Sequence, residues 1–159
     1  MLFPAIWNGF PLVYSDTGTY IASGFQGFVP HDRPLAYGFI LRHTSLSYSL
    51  WFTIAAQATF SALLLWAFYK LFLQHSPNPK SFLALGIALA LFSTLPWYSS
   101  FLMADAFTGQ SFLLFLFLCF GLNQNRLLNL ALVLSYWLLT ATHLTHANTH
   151  LFVWAILLL

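Results

Sequence analysis

Three carboxylates, Asp16, Asp32 and Asp105, are the first candidates for chemistry, and they are all the acidic residues of the 159-residue chain. A carboxylate beside a substrate can act as a general base and remove a proton from a hydroxyl group. Asp16 could instead cap a helix that begins near Thr17, and Asp105 could cap one that begins with Ala106. Ser or Asn would cap the second helix equally well, so the acid at position 105 favours a chemical role. We therefore take the three carboxylates as candidate catalytic residues.

The densest polar cluster is His31-Asp32-Arg33-Pro34, and a basic pair, Arg42-His43, follows it. A guanidinium group binds phosphate or carboxylate through paired hydrogen bonds, so both arginines are candidate anion-binding residues. Another interpretation stays open: Arg33 could pair with a neighbouring acid, and Arg42 could extend its side chain to a membrane interface. The candidate substrate-binding residues are Arg33, Arg42, His31, His43 and His143.

Three histidines, His143, His146 and His150, follow the spacing i, i+3, i+7. On a helix they would lie within an arc of about 60°. His146 and His150, four residues apart, could together chelate a divalent metal ion such as zinc. Alternatively, the segment is a polar hairpin between two helices, and its histidines bond to neighbouring groups. The sequence therefore leaves a divalent metal as a possible cofactor, with His146 and His150 as its candidate ligands.

The composition excludes several classes of protein. The chain is 60% hydrophobic and only 5% charged, whereas soluble domains average about 25% charged residues. So few charges cannot solvate the surface of a globular domain. The composition therefore excludes a soluble domain, a disordered tail and a nucleic-acid-binding protein that relies on a basic patch. The single Cys119 excludes an intramolecular disulfide. The composition indicates an integral membrane protein whose first partner is the lipid bilayer.

The hydropathy pattern predicts an all-α fold, a polytopic bundle of transmembrane helices. A spanning helix needs about 20 apolar residues, and Pro96 should end or kink the second one. Residues 1–45 are expected to hold the end of a first apolar segment and an extracytoplasmic loop with short interfacial helices. Because both ends of the chain look cut, we expect a piece of a larger polytopic protein. The predicted spans are about 46–69, 82–102, 106–122, 127–142 and 147–159.

Basic residues in short loops predict which side of the membrane each loop faces. Lys70 and Lys80 lie between the first two spans and Arg126 between the third and fourth, so all three favour the cytoplasm. The segment before Thr44, the turn at Asp105 and the region of His143 then share the opposite side. We expect the candidate residues to meet there, on the extracytoplasmic face of a multi-pass protein of a bacterial inner membrane.

The stretch Tyr14-Ser15-Asp16-Thr17-Gly18-Thr19-Tyr20, followed by Asp32-Arg33-Pro34 and Tyr37-Gly38, resembles the first extracytoplasmic loop of the GT-C superfamily of membrane glycosyltransferases. That family carries an acid in this loop and takes its sugar from a polyprenyl-phosphate donor. The resemblance implies that Asp16 is the base and that Arg33 or Arg42 stabilises the phosphate leaving group. Asp16 has no second acid beside it, which departs from the paired-acid motif and puts a metal at this position in doubt.

Two alternatives stay open. His146-x-x-x-His150 with a third histidine and Asp105 resembles zinc-dependent intramembrane hydrolases that cleave lipid amides, where the metal activates a water molecule. Such sites also need a histidine deep in another span, and none lies in the first three. A non-enzymatic transporter or membrane assembly subunit would use the same polar face as a vestibule. Neither the oligomeric state nor the sugar follows from the sequence.

Overall fold

The computed structural model describes residues 1–73, 78–120, 125–143, 145–146, 148 and 151. These residues form helices and connecting loops, with one isolated bridge between Leu12 and Phe101. The predicted all-α class is confirmed for this part of the chain. A π-helical turn, Tyr69–Leu73, extends α4, and a 3-10 turn, Ala104–Phe107, leads into α7. The helices are α1 (Phe3–Asn8), α2 (Thr17–Gln26), α3 (Ala36–Thr44), α4 (Leu50–Phe68), α5 (Pro79–Phe92), α6 (Leu95–Ser100), α7 (Thr108–Phe120) and α8 (Arg126–Thr140).

The four longest helices run alternately between two ends of a bundle. At one end the ring of Phe82 in α5 lies 5.6 Å from that of Tyr69, and Phe72 lies 5.9 Å from Phe117 of α7. We call this the basic end, because Lys70, Lys80 and Arg126 lie there. The other end, called the acidic end, consists of residues 1–49, 93–107 and 141–143 and contains all three acids.

Hydrogen bonds join the N-terminal segment to the middle of the chain at the acidic end. The backbone N–H of Leu12 donates to Ser100 O over 2.9 Å, and the N–H of Leu102 donates to Leu12 O over 2.9 Å. The buried Thr17 hydroxyl donates to Leu102 O over 2.8 Å. These bonds fix the start of α2 beside the turn that carries Asp105.

Helices α2 and α3 approach so closely that two glycines must face each other. A Cβ on Gly38 would lie 2.7 Å from Tyr20 O, and one on Gly24 would overlap the Gly38 carbonyl. The contact also stacks the buried rings of Tyr20 and Tyr37 edge to face, 4.9 Å apart. Helix α3 in turn packs on α4, where the Tyr37 hydroxyl donates to Gln57 Oε1 over 2.8 Å.

The helix lengths differ from the predicted spans. Among the described residues, one helix, the 24-residue Leu50–Leu73, is long and apolar enough to cross a membrane. The predicted span at 82–102, which Pro96 was expected to end or kink, consists of two helices, α5 and α6. Helix α5 ends at Phe92, where Ser93 Oγ accepts from Leu95 N over 3.2 Å, and α6 begins with Pro96 in its first turn. Proline has no N–H to continue the preceding helix, which is why the chain turns here.

The remaining predicted spans agree in part with the helices of the structure. The span at 46–69 begins later, at Leu50, because Leu46 and Ser47 adopt positive φ angles of 54°. The one at 106–122 is the 3-10 turn plus α7, and the one at 127–142 is α8. Most of the predicted span at 147–159 lies outside the described residues. The short helices expected within residues 1–45 are α1, α2 and α3.

The glycine contact generates the first prediction. Gly38→Ala should destabilise the protein by about 1–3 kcal/mol, because the added methyl group forces α2 and α3 apart. The comparison is Gly18→Ala in α2, where a Cβ meets open space and the unfolding temperature should not fall. Thermal unfolding of the purified variants measures both, and equal unfolding temperatures would contradict the packing described.

Candidate functional site

Asp16 stands at the N-terminus of α2, but its side chain does not cap the helix. One carboxylate oxygen, Oδ1, accepts a hydrogen bond of 2.9 Å from the Ser15 hydroxyl. The other, Oδ2, forms an ion pair with Nη1 of Arg33. Both oxygens are therefore engaged, and the carboxylate holds a guanidinium group in place.

Arg33 is paired with two acids. Besides Asp16, its Nε lies 3.5 Å from Oδ2 of Asp32, whose side chain is largely exposed. Burial raises the pKa of Tyr20, and the nearby Arg33 opposes that increase. The phenol therefore stays protonated at neutral pH and can donate a hydrogen bond. Of the two interpretations open for Arg33, pairing with neighbouring acids describes the structure.

Asp105 lies in the 3-10 turn before α7, and its side chain is 35% exposed. Its Oδ1 is 3.7 Å from Nε2 of His143, which arrives from the loop after α8. Asp16 and Asp105 both add to the raised pKa of the Tyr20 phenol through their charges, so both acids lie in its electrostatic neighbourhood.

His146 is buried, with both ring nitrogens bonded inside the protein. Nδ1 lies 3.1 Å from Leu139 O and Nε2 lies 2.9 Å from the Thr108 hydroxyl. A carbonyl only accepts, so Nδ1 donates and Nε2 accepts from Thr108. Burial, assisted by the neighbouring His143, lowers the pKa of His146. The imidazole is therefore neutral at pH 7 and joins the loop after α8 to the first residue of α7.

These contacts define one group of side chains, which we call the acidic-end cluster. Five of its members are sequence candidates, and their catalytic, binding and metal-ligating roles stay predictions. Tyr20 and Thr108 were missed, because an isolated Tyr or Thr carries no spacing signal. The members are Asp16, Tyr20, Arg33, Asp105, Thr108, His143 and His146.

Other candidates lie elsewhere. Arg42 donates to Gly24 O over 3.4 Å, near the far end of α2 and about 12 Å along the helix from Asp16. His43 bonds to Phe39 O over 2.8 Å on the surface of α3. His31 is exposed in the loop before α3. None of the three has a contact with the cluster among the described residues.

The predicted metal site is not supported by the donors that the structure describes. No group of three His, Cys, Asp or Glu side chains that could hold a metal ion occurs among those residues. His146 would have to give up Thr108 or Leu139 to bind a metal, and His150 lies outside the described residues. The zinc-hydrolase alternative therefore gains no observation in its favour.

Two cavities lie between the described helices, and two members of the cluster line the larger one. The larger, about 640 Å³, lies between α4, α5, α6 and α7 and is lined by Asp105, Thr108 and Gln110 among others. We call it the chamber. The smaller, about 410 Å³, lies between α3, α4 and α8, with His43 and Thr44 on its rim and mostly apolar side chains elsewhere. We call this one the groove.

Comparisons with models of known protein families, with curated proteins and with solved structures find no match. The likeness of Tyr14–Tyr20 and Asp32-Arg33-Pro34 to the GT-C loop thus stays a prediction. The structure does place these two stretches in contact, through the Asp16–Arg33 pair. Their proximity is what a shared site would require.

The burial of His146 generates a prediction for pH. Because its folded pKa lies below the unfolded value of 6.5, the unfolded chain binds the proton more readily, and stability falls as pH drops below about 6.5. The loss attributable to one proton cannot exceed about 1.4 kcal/mol per pH unit. The free energy of unfolding of wild type and of His146→Gln, measured at pH 7.5 and 5.5, tests this. It should fall less between the two pH values for the variant than for the wild type. The same pH dependence in both proteins would refute the neutral, buried imidazole.

Proposed function

We propose that this protein is a multi-pass integral membrane protein of the glycosyltransferase type, which transfers sugar from a polyprenyl-phosphate donor at the extracytoplasmic face. The proposal has two parts, the membrane topology and the reaction. The first rests on the exposed apolar surface of the helices. The second rests on the acidic-end cluster.

Helices α5 and α8 expose large apolar side chains. Helix α5 buries none of its residues and exposes Leu83, Ile87 and Leu91. Helix α8 buries only Leu139 and exposes, among others, Leu134 and Trp137. Apolar surface of this extent is covered in a stable protein, and a bilayer covers it at no cost in hydrogen bonds, since helices bond internally.

The charge distribution supports one orientation. Lys70, Lys80 and Arg126 all lie at the basic end, which the positive-inside rule assigns to the cytoplasm. The acidic end then faces outward. The helices shorter than α4, such as the 14-residue α5 of about 21 Å, require local thinning of the bilayer, which costs fractions of a kcal/mol per ångström.

The observation that carries the reaction is that the hydrogen bond from Thr17 to Leu102 O docks Asp16, and with it the paired Arg33, beside the turn that carries Asp105. In glycosyl transfer the acceptor oxygen attacks C1 of the sugar, the bond from C1 to the phosphate oxygen breaks, and the phosphate leaves with the bonding electrons. A base takes the acceptor proton. The site therefore needs a cation for the phosphate and a carboxylate a short distance away.

The structure favours a division of roles that differs from the sequence expectation. Both oxygens of Asp16 are engaged, so we assign Asp16 to holding Arg33, and Arg33 to the leaving phosphate. Asp105 faces the chamber and is the better general base, with His143 beside it. Arg42 is too distant to reach the same phosphate and is left outside the reaction.

The topology predicts which engineered cysteines are accessible. In a Cys119→Ala background, Tyr48→Cys at the acidic end should react with a membrane-impermeant maleimide in intact spheroplasts. Lys80→Cys at the basic end should react only after permeabilisation. Tyr48 is 85% exposed, so access itself is not limiting. Labelling of both from one side would refute the multi-pass arrangement.

The reaction predicts the effect of removing each charge. Asp105→Asn should lower kcat by about 10²- to 10⁴-fold, the usual contribution of a general base. Arg33→Gln should lower it by about 10²- to 10³-fold through lost stabilisation of the phosphate. The measurement is transfer of radiolabelled hexose from a polyprenyl-phosphate donor in isolated membranes. The matched control is Arg126→Gln at the basic end, which should transfer at the wild-type rate. Wild-type rates for both site variants would rule out the assignment.

A further inference from the structure

The chamber has features that point to a ligand of its own. Its volume of about 640 Å³ falls within the range of small-molecule sites. Part of its lining is apolar and comes from three different helices, through Leu65, Leu89 and Leu113. The lining also carries hydroxyl and amide groups and the Asp105 carboxylate. Such a cavity is amphipathic, because it offers apolar surface to a hydrocarbon chain and polar groups to a head.

The charge of the chamber selects the head group. The described lining residues include no Lys, Arg or His, and Asp105 is their only ionisable acid. A phosphate or carboxylate head would face the Asp105 carboxylate with no cation among the described lining residues, since His143 contacts Asp105 from outside the lining. The repulsion costs free energy in a low-dielectric site. An uncharged polyol meets no such repulsion, and its hydroxyl can donate to the carboxylate.

A buried hydrogen-bond acceptor lies in the chamber wall. Gln110 is only 5% exposed, and its Nε2 donates to the Ser61 hydroxyl over 2.6 Å. Its Oε1 has no hydrogen-bond partner among the described residues. An unpaired buried carbonyl costs about 1–3 kcal/mol, so a second donor is expected. A ligand hydroxyl entering the chamber would supply it.

We infer that the chamber between α4, α5, α6 and α7 binds a neutral amphiphile, an apolar chain with an uncharged, hydroxyl-bearing head, against Asp105 and Gln110. Binding of this kind does not require the transferase reaction. That the amphiphile is the sugar acceptor rests on the proposed function, because Asp105 is the base in that reaction.

Two glycines make a matched test. Gly109 lines the chamber, and a Cβ there meets open space, so a larger side chain occupies the cavity without displacing other atoms first. Gly86 in α5 also has open space at its Cβ and is not a chamber residue. Gly109→Phe should therefore block the chamber, while Gly86→Phe adds the same side chain elsewhere on a helix.

The experiment is photo-labelling of the protein in lipid nanodiscs. The probe is octyl β-D-glucoside with a terminal diazirine, compared with octyl phosphate and octane bearing the same group. The glucoside should label segments 93–98 and 105–113, at least tenfold more than either comparison probe. Gly109→Phe should reduce that labelling at least fivefold, and Gly86→Phe should leave it unchanged. If Gly109→Phe does not fold, Gly109→Ala replaces it and should reduce labelling by the glucoside in part.

Three results would overturn the inference. Octyl phosphate labelling the chamber as strongly as the glucoside would remove the charge argument. Equal labelling by octane would show a cavity filled by any hydrocarbon. Labelling unaffected by Gly109→Phe would place the site elsewhere. If the wild-type protein transfers no sugar but is still labelled in the chamber, the proposed reaction alone is refuted, so the two failures are distinguishable.

Discussion

The bonds that join Leu12 and Thr17 to the backbone at 100–102 are the constraint on which the rest of the acidic end depends. They connect residues about 85 positions apart in the chain. Thr17 is the neighbour of Asp16, and Leu102 precedes Asp105 by three residues, so one docking contact places both carboxylates. Because the Thr17 hydroxyl bond is buried, water does not compete with it. Without this contact the two acids would belong to separate segments.

Charged side chains at the acidic end lie next to groups of opposite charge, which lets an apolar bundle accommodate them. Arg33 is offset by Asp16 and Asp32, and Asp105 by His143 when that imidazole is protonated. Charge pairs that remain partly hydrated avoid the full cost of desolvation, which a deeply buried pair incurs. The cluster thus holds a guanidinium paired with two acids and, beside the same docking contact, a carboxylate next to an imidazole.

The sequence predicted much of this arrangement, and its failures have physical causes. The all-α class and the gathering of acids at one end follow from hydropathy and loop charge, which act over whole segments. The break after Phe92 was predicted too late, at Pro96, because Ser93 and Thr94 are weak signals in an apolar run. Periodicity fails for helices that are apolar on every side.

The roles within the site were less predictable than its members. The sequence left pairing of Arg33 with Asp32 or Asp16 as one of two interpretations, since the contact depends on how α2 and the following loop fold back. Likewise, His146 looked like a metal ligand until its bonds to Leu139 and Thr108 were visible. Spacing along a chain gives the direction of a side chain on one helix. It does not give its partners on another.

The buried polar residues of α4 have one more consequence. Thr53, Gln57 and Ser61 recur every four residues, and Gln57 bonds to both Tyr37 and Phe101. Apolar side chains lie on every side of α4, with Ile54 and Leu64 buried but Phe52 and Leu63 exposed. Hydrophobicity alone therefore does not fix the rotation of the helix about its axis. A turn of one residue, about 100°, would carry the amide out among hydrocarbon at a cost of several kcal/mol. This polar stripe fixes the rotational phase of α4, and with it which of its faces borders each cavity.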